Sequence, residues 1–107
     1  MASAQATVLI PLGREEALDL CRKALASSGI GAEIKTTNPA TFTIEAATGT
    51  SLVSWSEEIS IRVEPQAGQE SSATVRSESW QLVDWGKNQK NVDAVVRRIR
   101  QLVAARA

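Results

Sequence analysis

The chain has 107 residues, 43% of them hydrophobic and 22% charged, which is ordinary for one globular domain with a single core. Twelve basic and twelve acidic side chains cancel, so no strong overall field steers the protein onto a polyanion. The single cysteine allows no intrachain disulfide. No apolar run is close to the length of about 18 residues that a membrane span needs. We therefore expect a cytoplasmic protein with one domain over residues 6–107, preceded by a loose N-terminus over residues 1–5.

The first part of the chain predicts one strand and one helix. Apolar residues alternate with their neighbours from Ala6 to Ile10, which predicts a strand that Pro11 ends. Gly13 can cap a helix whose apolar residues recur every three or four positions and which stops at Gly29. The inward stripe of this helix comprises Ala17, Leu18, Cys21, Ala24, Leu25 and Ser28.

Four further strands and a long final helix are predicted downstream. Alternating apolar and polar residues predict strands over 30–35, 42–46, 55–63 and 73–78, with a turn over 36–40. The final helix is capped by Asn88 or Asn91. Its unbroken apolar stripe comprises Val92, Val95, Val96, Ile99, Leu102 and Val103. The order β-α-β-β-β-β-α predicts an α+β fold, in which two helices cover one face of a five-stranded antiparallel sheet and the other face is polar.

This order of elements is similar to one repeat of the TATA-box-binding-protein fold. It also resembles a trimmed version of the helix-grip fold of START proteins and plant-allergen lipid carriers. Two strings, Ser54-Trp55-Ser56-Glu57-Glu58-Ile59 and Asp84-Trp85-Gly86-Lys87-Asn88, look like recurring signatures of small uncharacterised bacterial proteins, in which Gly takes the place of Ser56. The resemblance implies a topology and brings no established activity with it.

The predicted outer sheet face argues against nucleic-acid binding. TATA-box binders press an apolar sheet face into a minor groove and insert aromatic wedges between bases. Here most outward charges are acidic, and no outward side chain can wedge between bases. These outward residues are Thr43, Glu45, Glu58, Ser60, Arg62, Thr74, Arg76 and Glu78.

Helix-grip carriers hold an apolar ligand between the sheet and the C-terminal helix. This chain is short for such a cavity, and its inward side chains are mostly small or β-branched. The sequence alone therefore favours tight packing over a pocket, because protein interiors fill to crystal density by default.

The composition argues against enzyme chemistry, a cofactor and a metal site. The chain has no histidine, so the usual general base and metal ligand are missing together. Cys21 lies on the inward stripe of a helix, where it is expected to act as a small apolar side chain. Glu57 and Glu58 are neighbours on a strand and point to opposite faces. An acid–base pair made of Glu57 and Asp84 remains the one enzymatic alternative.

The candidate binding residues are the three tryptophans and residues close to them in the chain. They lie around the start of the strand predicted over 55–63 and after the last strand. A cleft mouth would be lined by apolar side chains, with Asp84 and Lys87 as its polar handles. The apolar residues of this candidate site are Leu52, Trp55, Trp80, Leu82 and Trp85. The competing interpretation is an aromatic lid that seals the core, and the sequence favours the lid because tryptophans are highly buried on average. Asp84 has a second interpretation too, as a cap of the turn at Gly86 and Lys87 that accepts backbone N–H bonds.

Two functional hypotheses follow. The first is a non-enzymatic binding module that uses the tryptophan-bearing end of the sheet for a small apolar ligand or a segment of a partner protein. The alternative is a structural domain that self-associates into a homo-oligomer through a sheet edge or the polar sheet face.

Overall fold

The computed structural model describes residues 2–49, 57–80 and 86–106. All strand pairs are antiparallel, and the strands lie side by side in the order β1-β5-β4-β3-β2. In chain order the elements are β1 (Ala2–Ile10), α1 (Arg14–Ala26), β2 (Glu33–Asn38), β3 (Thr43–Thr48), β4 (Glu57–Pro65), β5 (Ser71–Ser79) and α2 (Lys87–Arg106). The predicted α+β order is confirmed. Neither described helix has the length and apolar character needed to cross a membrane.

Both helices pack on the same face of the sheet and enclose one apolar core. In β4 the side chains of Ile59, Ile61 and Val63 are buried, whereas Glu58 before them and Arg62 among them are exposed. This alternation follows from the two-residue period of a strand. Helix α1 contacts strands β2 to β5, and α2 contacts β1, β5 and α1. The opposite face of the sheet is polar, as predicted.

Helix α1 follows the sequence prediction closely at its start. Gly13 occupies the N-cap position, and Glu15 and Glu16 lie in the first turn, where the helix dipole favours acidic side chains. The helix ends at Ala26, and Gly29 adopts a left-handed φ of 84° three residues later. A glycine is suited to that position because a Cβ atom would strain it.

The expectation of a loose N-terminus over residues 1–5 is wrong for the residues that the structure describes. Strand β1 begins at Ala2, which pairs with Ser79 at the far end of β5. Strand β5 is nine residues long and offers hydrogen-bonding partners along its whole length. The prediction failed because the inward residues Ala2 and Ala4 are too small to give a clear hydrophobic alternation.

Strand β2 is displaced relative to its prediction. It begins at Glu33 rather than at residue 30 and continues to Asn38, through most of the predicted turn over 36–40. The pairing register shifts between Ile34 and Thr36, which indicates a β-bulge and interrupts the alternation. The turn itself is closed by Asn38, whose Oδ1 accepts hydrogen bonds from the backbone N–H groups of Ala40 and Thr41 at 2.9 and 3.2 Å.

Phe42 was predicted to open strand β3 and instead precedes it. Its backbone has a positive φ of 55°, and β3 begins at the next residue. The Arg14 guanidinium carbon lies 4.0 Å from the centroid of the Phe42 ring, which places a cation over an aromatic face. Phe42 therefore packs at the margin of the core.

Ile61 provides a test of the core. Its side chain is fully buried in the central strand β4, so Ile61→Ala should lower the free energy of unfolding by about 2–5 kcal/mol. Leu9→Ala is the matched control, because Leu9 is 64% exposed on the outer face and its truncation should change stability by no more than about 0.5 kcal/mol. Urea unfolding followed by circular dichroism measures both. Equal losses in the two variants would contradict this description of the core.

Candidate functional site

Most of the buried polar residues that the structure describes gather at one end of the core. This end lies where β3 finishes, β4 begins and β5 finishes, since Glu57 pairs with Thr48 on one side and with Ser79 on the other. The first turns of α2 pack against it. We call the buried polar side chains at this end the polar cluster, which consists of Thr48, Glu57, Ser77, Ser79, Asn88 and Asn91.

The periods of the strands and the helix place these side chains inward. Glu57 precedes the inward residues Ile59 and Ile61 at two-residue spacing, and Ser77 and Ser79 extend the inward series of β5. In α2, Asn88 and Asn91 occupy the same helix face as the buried valines that follow them. Each element thus continues its buried face into this end and changes from apolar to polar residues there.

The Glu57 carboxylate is held by two hydrogen bonds at one of its oxygens. Its Oε1 atom accepts a bond of 2.5 Å from the hydroxyl of Thr48 and one of 3.1 Å from Nδ2 of Asn91. The first partner lies on the neighbouring strand and the second on the helix above. Bonds to a charged acceptor are the stronger kind, so they orient this carboxylate firmly.

The network continues from Asn91 across the sheet. Nδ2 of Asn91 also lies 3.2 Å from Oγ of Ser77, and the Ser77 hydroxyl donates to Oδ1 of Asn88 at 2.7 Å. Nδ2 of Asn88 donates to Oγ of Ser79 and to the carbonyl oxygen of Ala2, both at 3.2 Å. Hydrogen bonds therefore connect β3 to β1 through the helix. Within the described part of the chain, every buried side-chain polar atom has a partner.

Glu57 also forms an ion pair whose two members differ sharply in exposure. Nζ of Lys87 lies 3.3 Å from Oε2 of Glu57. The glutamate side chain is 2% exposed, whereas that of the lysine is 57% exposed. The acid is thus part of the core, and its cationic partner reaches it from the surface. Such a partner is needed, because an unpaired buried carboxylate carries a desolvation penalty of several kcal/mol.

Two of the seven predicted site residues lie in the described structure, and they have different environments. Lys87 is the first residue of α2 and contacts the polar cluster through Glu57. Trp80 follows directly after β5 and is 78% exposed. A side chain that exposed does not seal the core, so the lid interpretation is wrong for Trp80. The other five predicted residues, Leu52, Trp55, Leu82, Asp84 and Trp85, lie outside the described residues.

The predicted role of Asn88 and Asn91 as alternative helix caps is corrected. Helix α2 begins at Lys87, so both residues lie inside it, and both are buried against the sheet. Sequence reasoning missed the polar cluster because it assigned inward positions from large apolar residues. Periodicity alone would have found these residues. The inward series of β4 continues from Ile59 back to Glu57, and the inward face of α2 continues from Val92 back to Asn88.

Cys21 is buried on the inward face of α1, and burial raises the pKa of its thiol to about 12. The thiol is therefore protonated at neutral pH and packs as a small apolar side chain. It is not a prepared nucleophile.

Comparison with known proteins shows the fold of this chain and no family or activity. No protein-family profile matches the chain, and neither does any curated protein sequence. Solved structures do match. The chain is 13% identical to a protein from Thermus thermophilus, with a TM-score of 0.58 and 99% of each chain covered. It is 10% identical to a START-superfamily protein from Mycobacterium smegmatis, with a TM-score of 0.62 over 97% of this chain and 95% of that one.

A third similar structure is an enzyme. The di-domain aromatase/cyclase of the steffimycin biosynthetic pathway aligns with a TM-score of 0.68 at 9% identity, over 94% of this chain and 44% of the larger one. The chain has the helix-grip fold. Because aromatase/cyclases share it, the fold is compatible with enzymes as well as with binding proteins, and function has to be argued from the residues of this chain.

Asn91 tests whether the polar cluster holds α2 on the sheet. Asn91→Ala removes a donor from both Glu57 and Ser77 and should lower the free energy of unfolding by about 1–3 kcal/mol, because buried polar atoms lose their partners. Gln89→Ala is the control, since Gln89 is exposed on the same helix and its side chain bonds to Asp93 at the surface. Thermal unfolding distinguishes them. A loss no larger than that of the control would show that the network adds no stability.

Proposed function

We propose that this protein is a non-enzymatic binding module, which takes a small ligand with an apolar body at the tryptophan-bearing end of the sheet, under the first turns of α2. The polar cluster is the observation that carries this proposal. Small-molecule sites in proteins combine a mostly apolar lining with a few buried polar groups that orient the ligand. Such groups are present at this end of the core, between the sheet and the C-terminal helix.

The size of the inward side chains supports the same location. Along β1 the inward residues change from Ile10 and Val8 to alanines at positions 6, 4 and 2. Along β5 they change from Val75 to Ser77 and Ser79. Side-chain bulk therefore decreases towards the polar cluster. In our proposal the apolar wall of the site is supplied by the neighbouring segments, through Leu52, Trp55, Leu82 and Trp85, with Asp84 as a further polar group.

The fold comparison supports binding in general terms. Helix-grip proteins often hold small hydrophobic ligands between the sheet and the long helix, and a START-superfamily protein is among the similar structures. The chemistry of the described residues favours binding over catalysis. Glu57 is engaged by Thr48, Asn91 and Lys87, and the Cys21 thiol is protonated. The chain has no histidine to act as a general base.

Tryptophan fluorescence tests the proposal once the exposed indole is removed. In a Trp80→Phe background the emission comes from Trp55 and Trp85 alone. Titration with 1-octanol should shift this emission to shorter wavelength and protect it from acrylamide quenching. Adding Trp85→Ala should weaken octanol binding about tenfold or more, as expected for loss of a central aromatic contact.

The matched control for this titration is Leu9→Ala in the same background, because Leu9 is an exposed apolar residue on the outer sheet face. It should bind octanol as the background protein does. Emission and quenching that do not respond to octanol would contradict a binding role for this end of the sheet.

A second candidate function is self-association through β1, and the composition of that strand favours it. Strand β1 is nine residues long, forms one edge of the sheet and carries no charged side chain. The other edge, β2, is six residues long, is bulged and carries Glu33 and Lys35. Charges, bulges and short length protect sheet edges from pairing with other chains, and β1 lacks all three. Two β1 strands related by a two-fold axis would join two sheets into one.

Thr7→Lys tests this candidate. Thr7 is exposed on β1, and a lysine there would place like charges across a β1–β1 interface. If the wild-type protein is a dimer by sedimentation equilibrium, Thr7→Lys should shift it towards monomer. Thr37→Lys puts the same charge on the other edge and should leave the dimer intact. A wild-type mass that stays monomeric as concentration rises would exclude self-association.

A further inference from the structure

The two oxygens of the Glu57 carboxylate have partners of different kinds. Oε1 is bonded by Thr48 and Asn91, which are themselves buried at 2% and 6% exposure. Oε2 is paired with Lys87, whose side chain is largely in solvent. The first oxygen is therefore held by the fold itself. The second depends on a flexible side chain that reaches in from outside.

This difference makes the ammonium group of Lys87 replaceable. A lysine side chain has a flexible four-carbon stem and a strongly hydrated ammonium group, so moving that ammonium group fully into water costs the lysine little free energy. The carboxylate has no such freedom, because it is fixed in the core and needs a cation or hydrogen-bond donor in place. Any group that replaces Lys87 at Oε2 must therefore be a donor, and a positively charged one satisfies the carboxylate best.

We propose that Glu57 is the recognition group of the binding site and that its ligand carries a primary ammonium group, which binds Oε2 in place of Nζ of Lys87. This inference rests on the binding function proposed above and gives the ligand its chemical class, an amine with an apolar body. In the unliganded protein, Nζ of Lys87 lies at Oε2, where the ammonium group of the ligand would bind.

Three probes with the same eight-carbon chain test this assignment by isothermal titration calorimetry: octylamine, 1-octanol and octanoate. Octylamine is protonated at neutral pH, since primary amines of the lysine type have pKa values of about 10.4. The wild-type protein should bind octylamine about tenfold more tightly than octanol, the margin expected for a charge-assisted hydrogen bond. Octanoate should bind most weakly, because its carboxylate would face Glu57.

Two variants assign the preference to named groups, each with a matched control. Glu57→Gln should remove the preference for octylamine over octanol, whereas Glu58→Gln should keep it, because Glu58 is exposed on the opposite face of the same strand. Lys87→Met should increase the affinity for octylamine more than that for octanol, because the competing ammonium group is gone and a charged donor satisfies Oε2 better than a hydroxyl does. Lys90→Met, an exposed position on the same helix, should change neither affinity. The comparison of octylamine with octanol in the wild-type protein keeps the test decisive if either site variant fails to fold.

The outcomes separate the two proposals. Octylamine and octanol binding with equal affinity in the wild type and in Lys87→Met would overturn the role of Glu57 and leave the binding function standing. Octanoate binding more tightly than octylamine would overturn it too and would assign recognition to Lys87. If none of the three probes binds, the binding function and this inference fall together.

Discussion

Burial of the Glu57 carboxylate is the constraint on which the arrangement of α2 depends. The helix has to bring a donor and a cation to a fixed point on the sheet, and it does so with Asn91 and Lys87, which lie four residues apart on one helix face. With those two contacts made, rotation of the helix about its axis is set. The apolar stripe that begins at Val92 then faces β1 and β5. A polar contact thus sets the register in which the apolar contacts pack.

Stability alone does not explain this design. Replacing a buried polar or ionic group by well-packed apolar side chains is often neutral or stabilising. Apolar side chains do fit inward positions in this fold. At the opposite end of the sheet, Ile10 and Val63 point inward and are buried. A polar cluster with every buried atom satisfied gives a well-defined arrangement instead, with a carboxylate held in one orientation. Orientation of this kind is what recognition of a polar ligand group requires.

Sequence periodicity predicts the fold wherever side chains are large and alternate cleanly. The central strand β4 and the stripe of α2 were found in this way, and with them the order of elements and the polar outer face. Prediction failed where inward residues are small, as at Ala2 and Ala4, and where a bulge shifts the period, as between Ile34 and Thr36. It failed at the site for a related reason. Glu57 and Asn91 are polar by type and buried by position, and only position shows that they face inward.

The two ends of the helix grip therefore contribute differently. At one end, α1 and the isoleucines of the central strands enclose an apolar interior that holds the sheet and helices together. At the other end, the first turns of α2 contact the sheet largely through hydrogen bonds and one ion pair that reaches the surface. The Lys87 contact at this end reaches solvent, and exposed contacts of this kind open at lower free energy than buried ones. Since the apolar end maintains the fold, the polar end is free to exchange one partner of Glu57 for another without unfolding the protein.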